Sequence, residues 1–149
     1  MSRVETSIGI AAPVAVVWEI ALDPHRLGEW VTIHRNLRSA PDRPLRKDDR
    51  IRQGMAIRGA PFDVTWEVTE IDPPHRAVWT GRGPARSVAI TEYELVDEGG
   101  TTLFRYANEF NPPGGLVGRV AASVLVGGIP EDEAKASLRR LKELAESSR

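Results

Sequence analysis

Phe104-Arg-Tyr-Ala-Asn-Glu-Phe110-Asn-Pro-Pro-Gly-Gly115 is the stretch on which the fold turns. Up to Phe110 the residues alternate, the period-two signature of a half-buried strand. Pro112-Pro113 and Gly114-Gly115 stop it, because proline cannot donate to a β-ladder and glycine opens turns. From Leu116 onward the chain is helix-compatible, and its first part is almost all Gly, Ala, Val, Leu and Ser. A helix with such small side chains, laid against a curved sheet, either packs very close or leaves a hollow.

Upstream of this stretch the alternation recurs. Asp97-Glu98-Gly99-Gly100 reads as a hairpin turn between a strand over Ser87–Val96 and the last one over Thr101–Phe110. Arg76–Thr80 is a short strand between the turns Asp72-Pro73-Pro74 and Gly81–Pro84. Phe62, Val64, Trp66 and Val68 share one face of another strand, and Ile51, Gln53, Met55 and Ile57 share one face of the strand before it. Residues 36–49, with Pro41, Pro44 and several acidic or amide groups, read as a loop. At the start, residues 3–10 form a strand with Val4, Thr6, Ile8 and Ile10 on one side. Ala12-Pro13 then opens a helix whose stripe is Val14, Val17, Trp18 and Ala21, and Asp23-Pro24 begins a second short helix reaching Trp30. Antiparallel strands with a helical pair after the first and a helix after the last make an α+β domain, expected to span 1–149 as one unit. The terminal helix is expected to kink or break at Gly127-Gly128-Pro130, where Glu131, Asp132 and Glu133 suit a new N-terminus.

Composition removes several functions. Twenty basic and 21 acidic residues leave a net charge of −1, so the chain has no electrostatic footprint for nucleic acid. The locally basic run Arg38–Arg52 is interrupted by Asp42, Asp48 and Asp49 and reads as a solvated loop. Cysteine is absent, which excludes disulfides and thiolate chemistry. The three histidines, His25, His34 and His75, have no metal-site spacing, and no metal or cofactor is expected. Leu116–Ile129 carries a single charge, Arg119, yet is shorter than the roughly 20 residues of a membrane span. With no apolar core of a signal peptide at Met-Ser-Arg-Val-Glu-Thr, the expected location is cytoplasmic. No Gly-x-Ser-x-Gly elbow is present, and Gly81-Arg82-Gly83 lacks both the third glycine and the helix of a nucleotide fingerprint.

Ile8-Gly-Ile-Ala-Ala-Pro13, Val17-Trp18, Asp23-Pro24, Trp66-Glu-Val-Thr-Glu-Ile-Asp72-Pro-Pro, Thr91-Glu-Tyr-Glu-Leu95, Gly100-Thr101-Thr102-Leu103 and Ser137-Leu-Arg-Arg-Leu-Lys142 occur in this order. Their sum resembles the SRPBCC, or START-like, superfamily, and within it bacterial members of polyketide cyclase/dehydrase type. The resemblance implies the helix-grip fold: a curved antiparallel sheet of six to seven strands wrapped around a long C-terminal helix, with two short helices after the first strand. It also implies a lipophilic cavity between sheet and helix. Fold is better determined by such a likeness than activity.

Candidates for the cavity wall are Trp30, His34, Gln53, Met55, Trp66, Tyr93, Tyr106, Asn108, Val120 and Val124. Two registers are open for the last strand. In one, Phe104, Tyr106, Asn108 and Phe110 face the cavity. In the other, Arg105 and Glu109 form a buried ion pair, which is disfavoured because burying two charges is costly. Gln53, Asn108, Tyr93 and Tyr106 either place polar groups in an apolar pocket or bond neighbouring core groups. His34, four residues after Trp30, is either a contact at the cavity mouth or a surface histidine. Trp66 suits the cavity wall, while Trp18 packs the first helix on the sheet. Three functions remain. The first is binding of a small hydrophobic ligand. The second is an aromatase/cyclase-type enzyme in which His34, Gln53, Tyr106 and Asn108 assist proton transfer. The third is an interaction module or homodimer using the apolar 116–129 segment.

Overall fold

The structure, a computed structural model, describes residues 2–111 and 130–148. Val120, Val124, the docking segment 116–129 and the expected break at Gly127-Gly128 lie outside the described residues. Seven strands form a single antiparallel sheet: β1 Ser2–Ile10, β2 His34–Ser39, β3 Arg50–Ile57, β4 Ala60–Asp72, β5 Arg76–Arg82, β6 Val88–Asp97 and β7 Thr102–Asn111. Their order is β1-β7-β6-β5-β4-β3-β2, so the first strand closes onto the last. Two short helices, α1 Val14–Ala21 and α2 Leu27–Trp30, follow β1, and α3 Glu131–Ser148 ends the chain. This is the α+β helix-grip arrangement that the sequence implies.

Residues 36–39 correct the sequence reading. They are not loop but the second half of β2, which pairs with β3 in a shifted register, His34 with Met55 and Leu37 with Gln53. The strand is largely exposed, with only His34 and Leu37 half-buried. An edge strand wet on both faces carries no alternation, so period two could not reveal it. The rest of the 40s segment is a loop held by backbone hydrogen bonds to β4, from Asp48 N–H to the Val68 carbonyl and from Val68 N–H to the Asp49 carbonyl.

The inner face of the sheet is decided by the alternation. In β7, Phe104, Tyr106, Asn108 and Phe110 point inward and are buried, while Arg105 is exposed and pairs with Glu94 of β6 at 3.0 Å. The register that leaves charges in water is the one adopted, and no buried Arg–Glu pair forms. On α3, Ala134, Ser137, Leu138, Leu141 and Ala145 make the buried stripe, which packs with β1, α1 and α2. The three acidic residues of its first turn complement the helix dipole. Ala11 N–H donates to the Glu146 carboxylate at 2.8 Å and ties the helix to the end of β1, while the buried Thr102 hydroxyl donates to the Ala12 carbonyl at 2.9 Å and ties β7 to the β1–α1 connection.

Within the basic 38–52 run, Arg38, Arg43 and Arg50 each pair with a carboxylate. Arg43 reaches both oxygens of Asp49 at 2.8 and 2.9 Å, and Arg46 N–H donates to the same carboxylate at 2.7 Å. Hydrogen bonding from Arg43, ahead of that from Arg46, pulls the Asp49 carboxyl down to about 2. Its folded value lies below its unfolded one, so it adds stability that is present at neutral pH. That stability is lost as pH falls from about 4 to about 2. Urea midpoints measured over this range should fall for the wild type more steeply than for D49N.

Candidate functional site

Two adjoining cavities lie beneath the sheet. The larger, about 70 Å³, is walled by Leu27, Trp30, Val31, Thr32 and Ile33 from the α2–β2 junction and by Ile51, Gln53 and Met55 from β3. Trp66, Trp79, Thr91, Tyr93 and Tyr106 follow from β4–β7, with Ala134 and Ser137 from α3. The smaller, about 40 Å³, extends toward the β5–β6 connection, past Phe62, Gly81, Gly83, Pro84, Ser87, Asn108 and Phe110. Ile33, Met55 and Trp66 border both. Every inward position of β3 through β7 that reaches this region is apolar, aromatic or uncharged. Among the described wall residues, Tyr93 and Tyr106 are the only ones with an ionisable side chain.

Alternation on β3 places Gln53 inward between two partners. Trp66 Nε1–H donates to Gln53 Oε1 at 2.9 Å, and Gln53 Nε2 lies 2.8 Å from His34 Nδ1. An indole nitrogen can only donate, so the Gln53 oxygen must face it. The Gln53 amide nitrogen is then also a donor, which leaves His34 Nδ1 as acceptor and puts the imidazole proton on Nε2. Burial pushes His34 below its ordinary pKa. The unfolded chain therefore takes up a proton near pH 6.5 before the folded chain does. Stability should fall as pH drops below about 6.5, and His34→Gln should flatten that limb. His25 and His75 are exposed and remain as controls. Denaturant midpoints between pH 7.5 and 5 check this; equal slopes in both proteins would refute it.

Trp66 needs Gly81 beneath it. The two residues are paired across β4 and β5, and a Cβ on Gly81 would come within 2.6 Å of the indole ring. On the far side an aromatic cluster closes the cavity. Tyr93 meets Trp30 at 6.0 Å, Trp79 at 6.3 Å, Phe104 at 5.3 Å and Tyr106 at 6.2 Å between ring centroids. Burial raises the pKa of both Tyr93 and Tyr106, with hydrogen bonding from Asn108 and Thr91 partly offsetting the shift at Tyr106. Both hydroxyls stay neutral at any working pH. Asn108 Nδ2–H donates to Thr91 Oγ1 at 2.7 Å. Among the described residues two buried donors are left over, Trp30 Nε1 and Trp79 Nε1, for which no partner is found. Each such group costs about 1–3 kcal/mol.

The mouth side is held by side chains rather than ladder. Thr32 N–H donates to Ser137 Oγ at 3.0 Å, and the Thr32 hydroxyl bonds the Glu133 carboxylate, joining the α2–β2 turn to α3. Ala56 N–H donates to the Ile33 carbonyl at 2.9 Å, which sets Ile33 in the wall.

Of the residues singled out from sequence, Trp30, Gln53, Met55, Trp66, Tyr93 and Tyr106 come together on the larger cavity, and Asn108 on the smaller. His34 does not reach either wall; it stands behind Gln53 and over Gly28, whose Cβ would lie 3.3 Å from the ring. Gln53 lines the cavity and also bonds its neighbours Trp66 and His34. Sequence reasoning passed over Ile33, Trp79, Thr91, Ala134 and Ser137. Trp79 had a signal: with Ala77 and Gly81 it forms the inward face of β5. Trp18 is half-buried against the core, as its helical stripe suggests. Among the described residues there is no cluster of three His, Cys, Asp or Glu fit to hold a metal, and no helix is long and apolar enough to cross a membrane.

The chain is similar to two Mycobacterium tuberculosis (strain H37Rv) proteins over 83 residues, 56% of its length. One is the uncharacterized protein Rv1546, at 34% identity, and the other is the toxin Rv0910, at 29%. The match spans 58% of the length of each relative. In three dimensions it is similar to the Zhui aromatase/cyclase from Streptomyces sp. R1128, with a TM-score of 0.77 at 15% identity, covering 97% of this chain and 93% of the other. That likeness extends to the fold alone. The family described as polyketide cyclase/dehydrase and lipid transport matches residues 1–146. An inward-facing aromatic wall, a closing C-terminal helix and a family match over nearly the whole length place this chain in the polyketide cyclase/dehydrase and lipid transport family.

Proposed function

We propose that the chain is a single binding domain that holds a small hydrophobic molecule, aromatic or lipidic, between the sheet and the C-terminal helix. One observation carries this reading: the described walls of both cavities contain no carboxylate, lysine, arginine or histidine, and their two tyrosines stay neutral. Apolar walls with a few placed polar groups recognise small lipophilic ligands. Proton transfer at neutral pH is best served by a group with a pKa near 7, and the described wall residues supply none. The aromatase/cyclase-type reading is supported by the family description and stands second.

Size limits the ligand. A dry apolar cavity of roughly 150 Å³ accommodates benzene, so about 70 Å³ with an adjoining 40 Å³ suits one ring entering as the walls yield. Met55, with its flexible thioether chain, borders both spaces and can move for an incoming ring. Native mass spectrometry of the purified protein mixed with extracted lipophilic metabolites tests the reading. A retained adduct of defined mass, lost in a variant with Trp66 or Tyr93 replaced, is the expected result. No adduct above background with any extract would remove the binding function.

A further inference from the structure

His34, Gln53 and Trp66 form a chain of hydrogen bonds that runs from the half-buried start of the edge strand to the wall of the larger cavity. Its polarity is fixed from the inner end. The Trp66 indole nitrogen can only donate, so Gln53 Oε1 accepts from it at 2.9 Å, and Gln53 Nε2 donates across 2.8 Å to His34 Nδ1. This arrangement holds only while Nδ1 carries a lone pair. A protonated imidazole donates from both nitrogens, and two donors then face each other at 2.8 Å.

Turning the Gln53 amide over relieves that conflict, because it presents Oε1 to the new Nδ1–H without changing the shape of the side chain. The same turn sets the amide N–H against the Trp66 N–H. The clash of donors thereby moves from the sheet edge to the cavity wall, where Gln53 and Trp66 are 3% and 8% exposed and an unpaired donor is costly. Trp66 borders both cavities, and Gly81 beneath it has no side chain to prop the ring. The bond to Gln53 is its directional tie.

Among the described residues, charges around His34 are otherwise engaged or turned away. α2 lays Gly28 against the ring, while Arg26 at its N-cap and Glu29 within it bond each other at 2.8 and 3.0 Å. Arg35 of β2 and Arg52 of β3 occupy the alternate, exposed positions, and Glu133 of α3 bonds Thr32. Burial, not a charged neighbour, is what lowers the His34 pKa. We propose that His34, Gln53 and Trp66 are a proton-operated relay, in which protonation of His34 turns the Gln53 amide over and frees the Trp66 indole from its tie in the cavity wall. Acid thus loosens the wall, and the device stands whether or not a ligand binds.

Nitrogen-15-labelled protein titrated from about pH 7.5 to about pH 5 tests this at the four indole N–H resonances and the histidine ring nitrogens. A Trp66→Phe spectrum identifies the Trp66 signal. At the upper end His34 should carry its proton on Nε2. As His34 protonates, the Trp66 resonance should move upfield with the same midpoint, while the other three indole signals hold their folded positions. In His34→Gln, whose amide oxygen can accept from Gln53 at every pH, the Trp66 signal should stay flat. Below the His34 midpoint, hydrogen exchange at the Trp66 N–H should run about fivefold faster in the wild type than in this variant. A His34 titration that leaves Trp66 in place would overturn the relay, since the imidazolium then turns from Gln53 by itself. So would a Trp66 shift that persists in H34Q or follows exposed His25 or His75, or a His34 that stays neutral throughout. Should H34Q fold poorly, coincidence of the His34 and Trp66 midpoints in the wild type decides.

Discussion

Gly81→Ala should melt roughly 3–12 °C below the wild type, a large loss for the addition of one methyl group. The new Cβ would sit 2.6 Å from Cζ3 and 2.7 Å from Cε3 of Trp66, inside any contact these atoms tolerate. The ring cannot swing freely, because Trp66 is 8% exposed and its N–H is committed to Gln53. Overpacking a core costs about 1–3 kcal/mol, and losing the Trp66–Gln53 bond adds about 1, for a total of about 2–4 kcal/mol. The alanine side chain recovers only a few tenths to 1 kcal/mol through chain entropy. A double-mutant cycle with Trp66→Phe identifies the cause: the smaller ring should make Gly81→Ala much cheaper. Strict additivity of the two changes would show that Trp66 is not what Gly81 accommodates.

Met55→Ala should cost about 2–5 kcal/mol and yet widen the range of ligands accepted. Met55 is 4% exposed on β3 and borders both cavities, with Ile33 and Trp66. Truncation removes buried contacts and leaves more space than the surrounding sheet can collapse into. Chemical denaturation measures the first effect. Affinities for one-ring and two-ring aromatic compounds measure the second, with the larger compound gaining relative to the smaller. Lower stability with an unchanged ligand rank order would mean that Met55 packs the core without setting the cavity's capacity.

The strands of this protein could be read from their own residues because each buries one face. Phe104, Tyr106, Asn108 and Phe110 announce β7, and Phe62, Val64, Trp66 and Val68 announce β4, through simple alternation. β2 has no such announcement. His34–Ser39 lies at the sheet edge, where solvent on both sides removes the selection for alternating residues. The wall residues follow the same division. Gln53, Met55 and Trp66 stand out as inward positions on amphipathic strands. Ile33, Ala134 and Ser137 come from a turn and from a helix far along the chain, and only their docking makes them neighbours.

His34 and Trp79 mark the boundary most clearly. Spacing from Trp30 brought His34 toward the site, but the hydrogen bond to Gln53 puts it one residue behind the wall. Trp79 is one aromatic among several on paper; among the described residues, burial without an acceptor sets it and Trp30 apart from Trp66. Residue order alone determined the elements other than β2, the inward face of each long strand and the family, because period, turn chemistry and local motif are properties of adjacent residues. The tertiary structure alone decided which polar groups satisfy one another and which are left over, because hydrogen-bond partners such as Gln53 with His34, or Thr32 with Ser137, meet only when β3, the α2–β2 turn and α3 close around one core.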